Sequence, residues 1–225
     1  RVIMFKLLRY GYPAGLELFS NFLAFSAMVY VFHSHGPVVA TASSIMFNWD
    51  MVSFIPLLGV EIAVTSLVGR YMGAQRPEAA QRAAFSAIRT GIYYSASILI
   101  LFLFIPETLV HVFRPEQADP VFDQSVPIAV TMIRMAAVYV LIEAVMVALV
   151  GALRGAGDTH YTMIVSVAAH WLFIPILYLS LNVFSCSIEL SWFIIVVFYL
   201  LVSSILIFRF RSGKWKKIKV IDAIH

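Results

Sequence analysis

Six long apolar runs separated by short polar breaks dominate the pattern along the chain. Each run is long enough to cross about 30 Å of hydrocarbon as an α-helix that rises 1.5 Å per residue. Residues 91–106, 161–188 and 190–208 carry no Asp, Glu, Lys or Arg. The pattern therefore predicts membrane-spanning helices at about 12–33, 38–69, 84–106, 125–152, 161–182 and 188–210.

The breaks between the runs have the composition of turns. Residues 33–37 and 73–78 contain Gly and Pro, and the break at 155–159 has two glycines followed by helix-capping residue types. The longer segment 107–124 is polar and contains two prolines, which predicts a loop or a short surface helix. The chain thus divides into a six-helix bundle over residues 1–212 and a basic tail over residues 213–225.

Composition supports an all-α integral membrane protein. Of the 225 residues 61% are hydrophobic and 12% charged, with a mean hydropathy of +0.90, whereas soluble domains are about half apolar and about a quarter charged. No nucleotide-binding, GxSxG or HExxH motif is present, so we predict neither an ATP-driven pump nor another enzyme. The single cysteine, Cys186, excludes an intrachain disulfide and a cysteine zinc site.

Basic residues lie at the ends of the apolar runs, which argues against nucleic-acid binding. Of the 16, fourteen lie on one side of the predicted membrane, Arg114 lies on the other, and Arg134 falls within the fourth span. The positive-inside rule places the basic side in the cytoplasm. We therefore predict a multi-pass cell-membrane protein of the bacterial inner-membrane type, with both ends of this segment cytoplasmic. The basic tail around Trp215 predicts contact with membrane lipids.

Glu143 is the acidic residue that most favours a transport function. It lies about two-thirds of the way through the fourth span, and Tyr139, four residues earlier, shares its helix face. A carboxyl group removed from water takes up a proton more readily, as a proton-coupled carrier requires. With further oxygen ligands the same group would hold sodium instead. The structural alternative is a protonated acid that bonds a neighbouring helix.

Asp50 is the second deep acid, about twelve residues into the second span. It is a candidate for cation coupling with Glu143, or else it pairs with Arg134, which enters the membrane from the outer side. Asn48 is a candidate cavity residue beside it. His170, in the fifth span, either relays protons or is a packed, hydrogen-bonded residue.

Two further acids, Glu61 and Glu17, approach the predicted cytoplasmic side. Glu61 follows Pro56, which frees a backbone carbonyl in its helix. Glu17 lies about one turn inside the first span, so its carboxylate is expected to snorkel to the interface. Together the two acids are candidates to line an inner vestibule, part of a substrate cavity.

Four motifs resemble those of the multidrug and toxic compound extrusion (MATE) family, in particular its C-terminal six-helix half. They recur in the family's order and spacing across nearly the whole chain. The matching stretches are GYPAG at 11–15, PLLGVEIA at 56–63, VGRYMG at 68–73 and, most distinctive, GALRGAGDT at 151–159. The glycines at positions 69, 73, 151 and 155 also have the spacing of close helix packing, although helix capping explains them equally well.

The resemblance implies half of a twelve-helix, two-bundle antiporter that exports organic cations and drugs in exchange for protons or sodium. Its other partners would be membrane lipids and a missing N-terminal six-helix bundle, and no cofactor beyond the coupling ion is implied. The acid that the family carries in the helix corresponding to the fourth span falls on Glu143, and the family's tyrosine in that helix falls on Tyr139. Where many members carry an acid in the first span, this chain has Asn21, and Glu17 one turn earlier is a possible substitute.

Two alternatives to cation efflux follow from the same residues. A lipid-linked oligosaccharide flippase of the same superfamily would need a cavity rich in basic residues, for which Arg134 is the only intramembrane candidate. A membrane scaffold subunit would use its buried acids only to pair helices. The leading hypothesis assigns Glu143, Tyr139 and Asp50 to cation coupling. It assigns a substrate cavity to Asn21, Asn48, Glu17, Glu61 and Arg134.

Overall fold

The computed structural model describes residues 2–218, except for the side chains of residues 2–10, 13, 14 and 189. Within that range the chain is helical, without strands. Residues 219–225, the end of the predicted basic tail, lie outside it. In chain order the α-helices are α1 (Val2–His33), α2 (Pro37–Gly73), α3 (Pro77–Phe104), α4 (Pro106–His111), α5 (Pro120–Gly155), α6 (Thr159–Tyr178) and α7 (Ile188–Arg211). A π-helical turn, Leu179–Val183, extends α6, and a 3-10 turn, Lys214–Lys217, follows α7.

Six of these helices are long and apolar enough to span a membrane, which confirms the predicted six-helix bundle. Several of the helices are longer than the apolar runs from which they were predicted. Helix α3 begins at Pro77 and α5 at Pro120, because polar residues continue the helix beyond the hydrocarbon. At 37 residues, α2 is about 55 Å long, well beyond the hydrocarbon thickness. The predicted polar segment 107–124 forms α4, a short loop and the first turn of α5.

Local sequence explains where the helices begin. Proline occupies a first-turn position in α2, α3, α4 and α5, where its missing N–H is not needed. The side chain of Asp119 accepts a hydrogen bond from the backbone N–H of Val121 at 2.9 Å and caps α5. Gly36 and Gly157 have φ values of +98° and +89°, which allow the tight turns before α2 and α6.

Helix α5 is the centre of the bundle. In its most apolar stretch 61% of the residues are buried, against 22% in α2. It packs against α2, α3 and α7, whereas α1 packs chiefly against α6. The bundle is therefore a core around α5 with an α1–α6 pair against its side.

The two ends of the bundle are held together differently. At the end that carries the 74–76 and 156–158 turns and the tail, which we call the basic end, Arg209 donates from Nε and Nη2 to Asp158 at 2.8 and 3.1 Å. There Lys216 also donates to Glu78 at 3.0 Å. At the opposite end, aromatic rings pack instead. Phe32 meets Phe47 and Trp192 edge to face, with ring centroids 5.9 and 5.7 Å apart.

Candidate ion-coupling site

Glu143 carries a buried carboxyl group on α5, the central helix of the bundle. Only 4% of this residue is exposed. The hydroxyl group of Tyr139, one helical turn earlier, donates a hydrogen bond to Oε1 of Glu143, with 2.8 Å between the two oxygens. The ring of Tyr139 packs edge to face on Tyr199 of α7, with centroids 4.9 Å apart. Because Tyr139 and Glu143 are four residues apart on one helix, the sequence spacing brings hydroxyl and carboxyl together.

Asp50 of α2 lies close enough to Glu143 for their charges to interact, and Tyr199 is close to both. One oxygen of each acid, Oδ1 of Asp50 and Oε2 of Glu143, is buried without a hydrogen-bond partner among the described residues. A buried, unpartnered carboxyl oxygen is costly unless a proton or cation reaches it. The site can therefore exchange a proton or bind a small cation.

The alternative pairing of Asp50 with Arg134 is wrong. Arg134 is exposed, and it forms no ion pair with Asp50. The register of α5 explains the difference. Arg134 falls on a different face of the helix from Ile133, Ala136 and Ala137, which are fully buried in the core.

The chemistry open to this site depends on its oxygen donors. Among the side chains that the structure describes, no three His, Cys, Asp or Glu groups converge as a metal-ligand group. The oxygen donors here are the Asp50 and Glu143 carboxylates and the Tyr139 hydroxyl. Such a set is compatible with a proton or with sodium, whose remaining ligands would come from backbone carbonyls or water.

A second cluster, at the basic end, joins α1, α2 and α5 through Arg154. Arg154 donates from Nη2 to Glu17 at 2.8 Å and from Nη1 to Glu61. Glu17 is only 2% exposed, so the expectation that it snorkels to the interface is wrong. It is buried because Arg154 supplies the opposite charge inside the bundle. Arg154 is a site residue that its position in the sequence marks only as a topology signal, although two acids near the same membrane side indicate the need for a cation there.

The polar residues of the α1–α6 pair bond to each other rather than to Glu143. Asn21 and Ser166 exchange hydrogen bonds, at 3.2 Å from Asn21 Nδ2 to Ser166 Oγ and 3.4 Å in the reverse sense. His170 lies 2.8 Å from the Ser166 carbonyl through Nδ1, which must be the protonated ring nitrogen. The packed, hydrogen-bonded interpretation of His170 therefore fits its contacts.

Asn48 is exposed, and its Nδ2 donates to the Ser44 carbonyl of its own helix at 2.8 Å. It lines an open depression together with Asp119 and Phe122, on the side of the bundle opposite the basic end.

Of the predicted site residues, the structure thus brings together Glu143, Tyr139 and Asp50 in one cluster. Glu17 and Glu61 form another, and Asn21, Asn48 and Arg134 lie elsewhere.

The chain matches the family model described as MatE over residues 13–179. A probable multidrug resistance protein NorM of Thermotoga maritima is 28% identical over 221 residues, covering 94% of this chain and 45% of that relative. The multidrug resistance protein PmpM of Pseudomonas aeruginosa is 28% identical over 171 residues, 76% of this chain and 35% of that protein. The chain spans less than half the length of these curated relatives.

Two solved structures share the fold. A transporter of the MOP superfamily from Pyrococcus furiosus superposes with a TM-score of 0.86 at 17% identity, covering 97% of this chain and 48% of that one. A MATE structure in a bent conformation gives a TM-score of 0.82, also at 17% identity, and covers 96% of this chain and 47% of that one. The helical arrangement described above is therefore the one found in about half of each of these larger transporters.

Proposed function

Since the chain belongs to the MatE family, as its motifs predicted, we propose that it forms one six-helix bundle of a secondary active transporter that exports organic cations. The driving force is exchange with protons or sodium ions. The matched relatives are named multidrug resistance proteins, and their names support the substrate class. The chain covers about half of the solved transporters, which supports a partner bundle of similar size.

One observation carries the proposal: the buried carboxyl of Glu143 and the partly buried carboxyl of Asp50 each have one buried, unpartnered oxygen, beside the Tyr139 hydroxyl. A carrier that couples two solutes needs a site whose occupancy by an ion changes the energy of the surrounding helices. Glu143 lies on α5, the helix that contacts most of the bundle. A proton or cation arriving there removes charge repulsion between α2 and α5, and its departure restores that repulsion.

In the proposed cycle the bundle rocks against its partner bundle around a central cavity. The basic end faces the cytoplasm, as the positive-inside rule requires. The Glu17, Glu61 and Arg154 cluster lies near this end and has one more carboxylate than cation, so it offers a cationic solute that reaches it a local anionic partner. Asp50 and Glu143 then exchange their ion as the substrate leaves on the other side.

The test is the substitution Glu143→Gln in the complete transporter, assayed in everted membrane vesicles with a fluorescent organic cation. Glutamine keeps the size of the side chain and removes its charge and its exchangeable proton. We expect efflux driven by an imposed proton or sodium gradient to fall at least about tenfold, since one strong coupling interaction is worth about 1.4 kcal/mol or more. Glu107→Gln, on the exposed face of α4, is the matched control and should leave efflux unchanged.

Ion-driven efflux that survives Glu143→Gln would remove this residue from the coupling step. Absence of any cation efflux by the unaltered complete protein, with normal membrane insertion, would instead favour the scaffold alternative. Drug susceptibility of cells that lack other pumps provides the second measurement for that distinction.

A further inference from the structure

A groove of about 520 Å³ lies between α2 and α3 near the basic end. Its floor is apolar and comes from one face of each helix, since the lining positions repeat at helical spacing. Val60, Val64 and Leu67 line it from α2, and Ala83 and Ala87 from α3. Small side chains on α3 keep the groove open. Volumes of this size are typical of sites for small molecules and cofactors.

The charged group of the groove lies toward the basic end, and small hydroxyl groups continue along α3. Tyr71 and Arg82 line the part nearest the 74–76 turn, and Ser86 and Thr90 follow Arg82 at four-residue intervals on the same helix face. From Ala79 to Thr90 the groove runs along eleven helical steps, about 16 Å. The third predicted span begins near residue 84, so the part of the groove around Ala79 and Arg82 lies at the headgroup level and the part around Thr90 lies within the hydrocarbon of one leaflet.

Arg82 is exposed and forms no ion pair with any side chain in the described part of the chain. The nearest acids on the two helices already have partners, because Glu61 bonds Arg154 and Glu78 bonds Lys216. Other exposed basic residues without an ion pair among residues 2–218 surround the same end. They are Arg70, Arg76, Arg211, Lys214 and Lys217.

We propose that this groove is a binding site for an anionic phospholipid of the adjacent leaflet. Arg82 binds the headgroup phosphate, for which a guanidinium is well suited. The first part of one acyl chain lies against Val60, Val64 and Ala87. A basic recess between membrane helices at the cytoplasmic surface is a recurrent setting for anionic headgroups.

The charge and the shape of the groove together select this ligand. An organic cation, the proposed transport substrate, is repelled by Arg82 and its basic neighbours, whereas the carboxylate cluster around Arg154 attracts it. Inorganic phosphate would use Arg82 but gains nothing from the apolar floor. An amphiphile with a negative head uses both the arginine and the apolar floor. The proposal does not depend on transport activity, since it concerns a lipid that the membrane supplies.

The experiment measures lipid retention on the purified complete transporter by native mass spectrometry, after mixing with equal amounts of phosphatidylglycerol and phosphatidylcholine. We expect a bound phosphatidylglycerol that Arg82→Gln weakens by about fivefold, the effect of one basic residue at a membrane surface. Arg76→Gln removes a neighbouring exposed charge outside the groove and is the matched control, which should retain the lipid. Ala63→Phe fills the apolar part while leaving Arg82 in place, and it should also reduce retention.

Equal retention in Arg82→Gln and Arg76→Gln would overturn the proposal, as would equal binding of phosphatidylcholine. Two competition arms distinguish other occupants. Displacement of the lipid by millimolar inorganic phosphate would show a simple anion site, and displacement by tetraphenylphosphonium would show a site for cationic substrate. Either result contradicts the assignment. A thermal melting curve for each variant verifies folding. If Ala63→Phe does not fold, the comparison of Arg82→Gln with Arg76→Gln decides the outcome.

Discussion

At the scale of single residues, Arg154 shows how a membrane bundle accommodates acids that composition alone would make unfavourable. Two carboxylates, Glu17 and Glu61, share its guanidinium, and they come from α1 and α2. The cluster therefore ties three helices together with one cation. It also carries one more negative than positive charge, which distinguishes it from a neutral structural pair and makes it the acidic part of an otherwise basic end.

The first prediction concerns the removal of that cation. Arg154→Met leaves two buried carboxylates without a partner, and breaking a buried pair in this way costs about 3–5 kcal/mol. We expect a clearly lower melting temperature of the complete protein in detergent. Adding Glu17→Gln and Glu61→Gln to Arg154→Met should recover much of the loss, because no unpaired charge remains.

Arg70→Met, which removes an exposed base near the same end, is the control and should have little effect. A triple variant as unstable as Arg154→Met alone would show that Arg154 acts through packing rather than through charge. The same melting curves therefore separate the two explanations.

At the scale of helices, the crossing of α2 and α5 sets the distance between Asp50 and Glu143, the two acids of the proposed coupling site. Gly151 and Gly155 lie where α5 meets α2, and the Thr65 hydroxyl donates to the Gly151 carbonyl at 3.0 Å. A methyl group at Gly155 would lie 2.4 Å from the Thr65 carbonyl oxygen. Close packing, rather than helix capping, therefore explains this glycine pair. The absence of side chains at these two glycines lets the backbones of α2 and α5 approach each other.

The second prediction follows from that contact. Gly155→Ala forces α2 and α5 apart, since the obstructing atom belongs to the backbone and cannot rotate away. Overpacking of this kind costs about 1–3 kcal/mol, so we expect a lower melting temperature and reduced ion-driven efflux together. Gly59→Ala, within α2, meets nothing within 4 Å and is the matched control. Normal stability of Gly155→Ala would mean that the crossing is wider than described.

At the scale of the whole molecule, the two ends differ in how they are held together. The basic end is joined by ion pairs through Arg154, Arg209 and Lys216, and Trp215 is buried there, stacked on Phe210 with centroids 5.1 Å apart. The opposite end relies on aromatic packing, since its Arg114–Asp123 contact is 4.0 Å long, exposed and therefore weak. Basic residues thus have two roles at one end, because some pair helices and the exposed ones remain available to the membrane surface.

The third prediction tests the orientation of the bundle, with Cys186 as a natural reporter. It is a free cysteine in the connection between the π-helical turn and α7, at the end opposite the basic end. In a complete protein whose only cysteine is Cys186, a membrane-impermeant maleimide should label intact cells. In a Cys186→Ser background, a cysteine introduced by Gln75→Cys in the 74–76 turn should react only after permeabilisation. The reverse pattern would invert the proposed topology.

The sequence by itself determined the fold class, the six spans, the family, and the pairing of Tyr139 with Glu143. Each depends on properties that are local or additive along the chain: apolar length, glycine and proline at breaks, motif order, and a four-residue helical spacing. The tertiary structure alone decided which distant residues meet. It gave Glu17 and Glu61 a shared partner in Arg154, separated Arg134 from Asp50, and formed the α2–α3 groove. Those outcomes depend on how the packed helices rotate and cross. Side-chain volumes and glycine contacts across the whole bundle determine that geometry, so no single stretch of sequence encodes it.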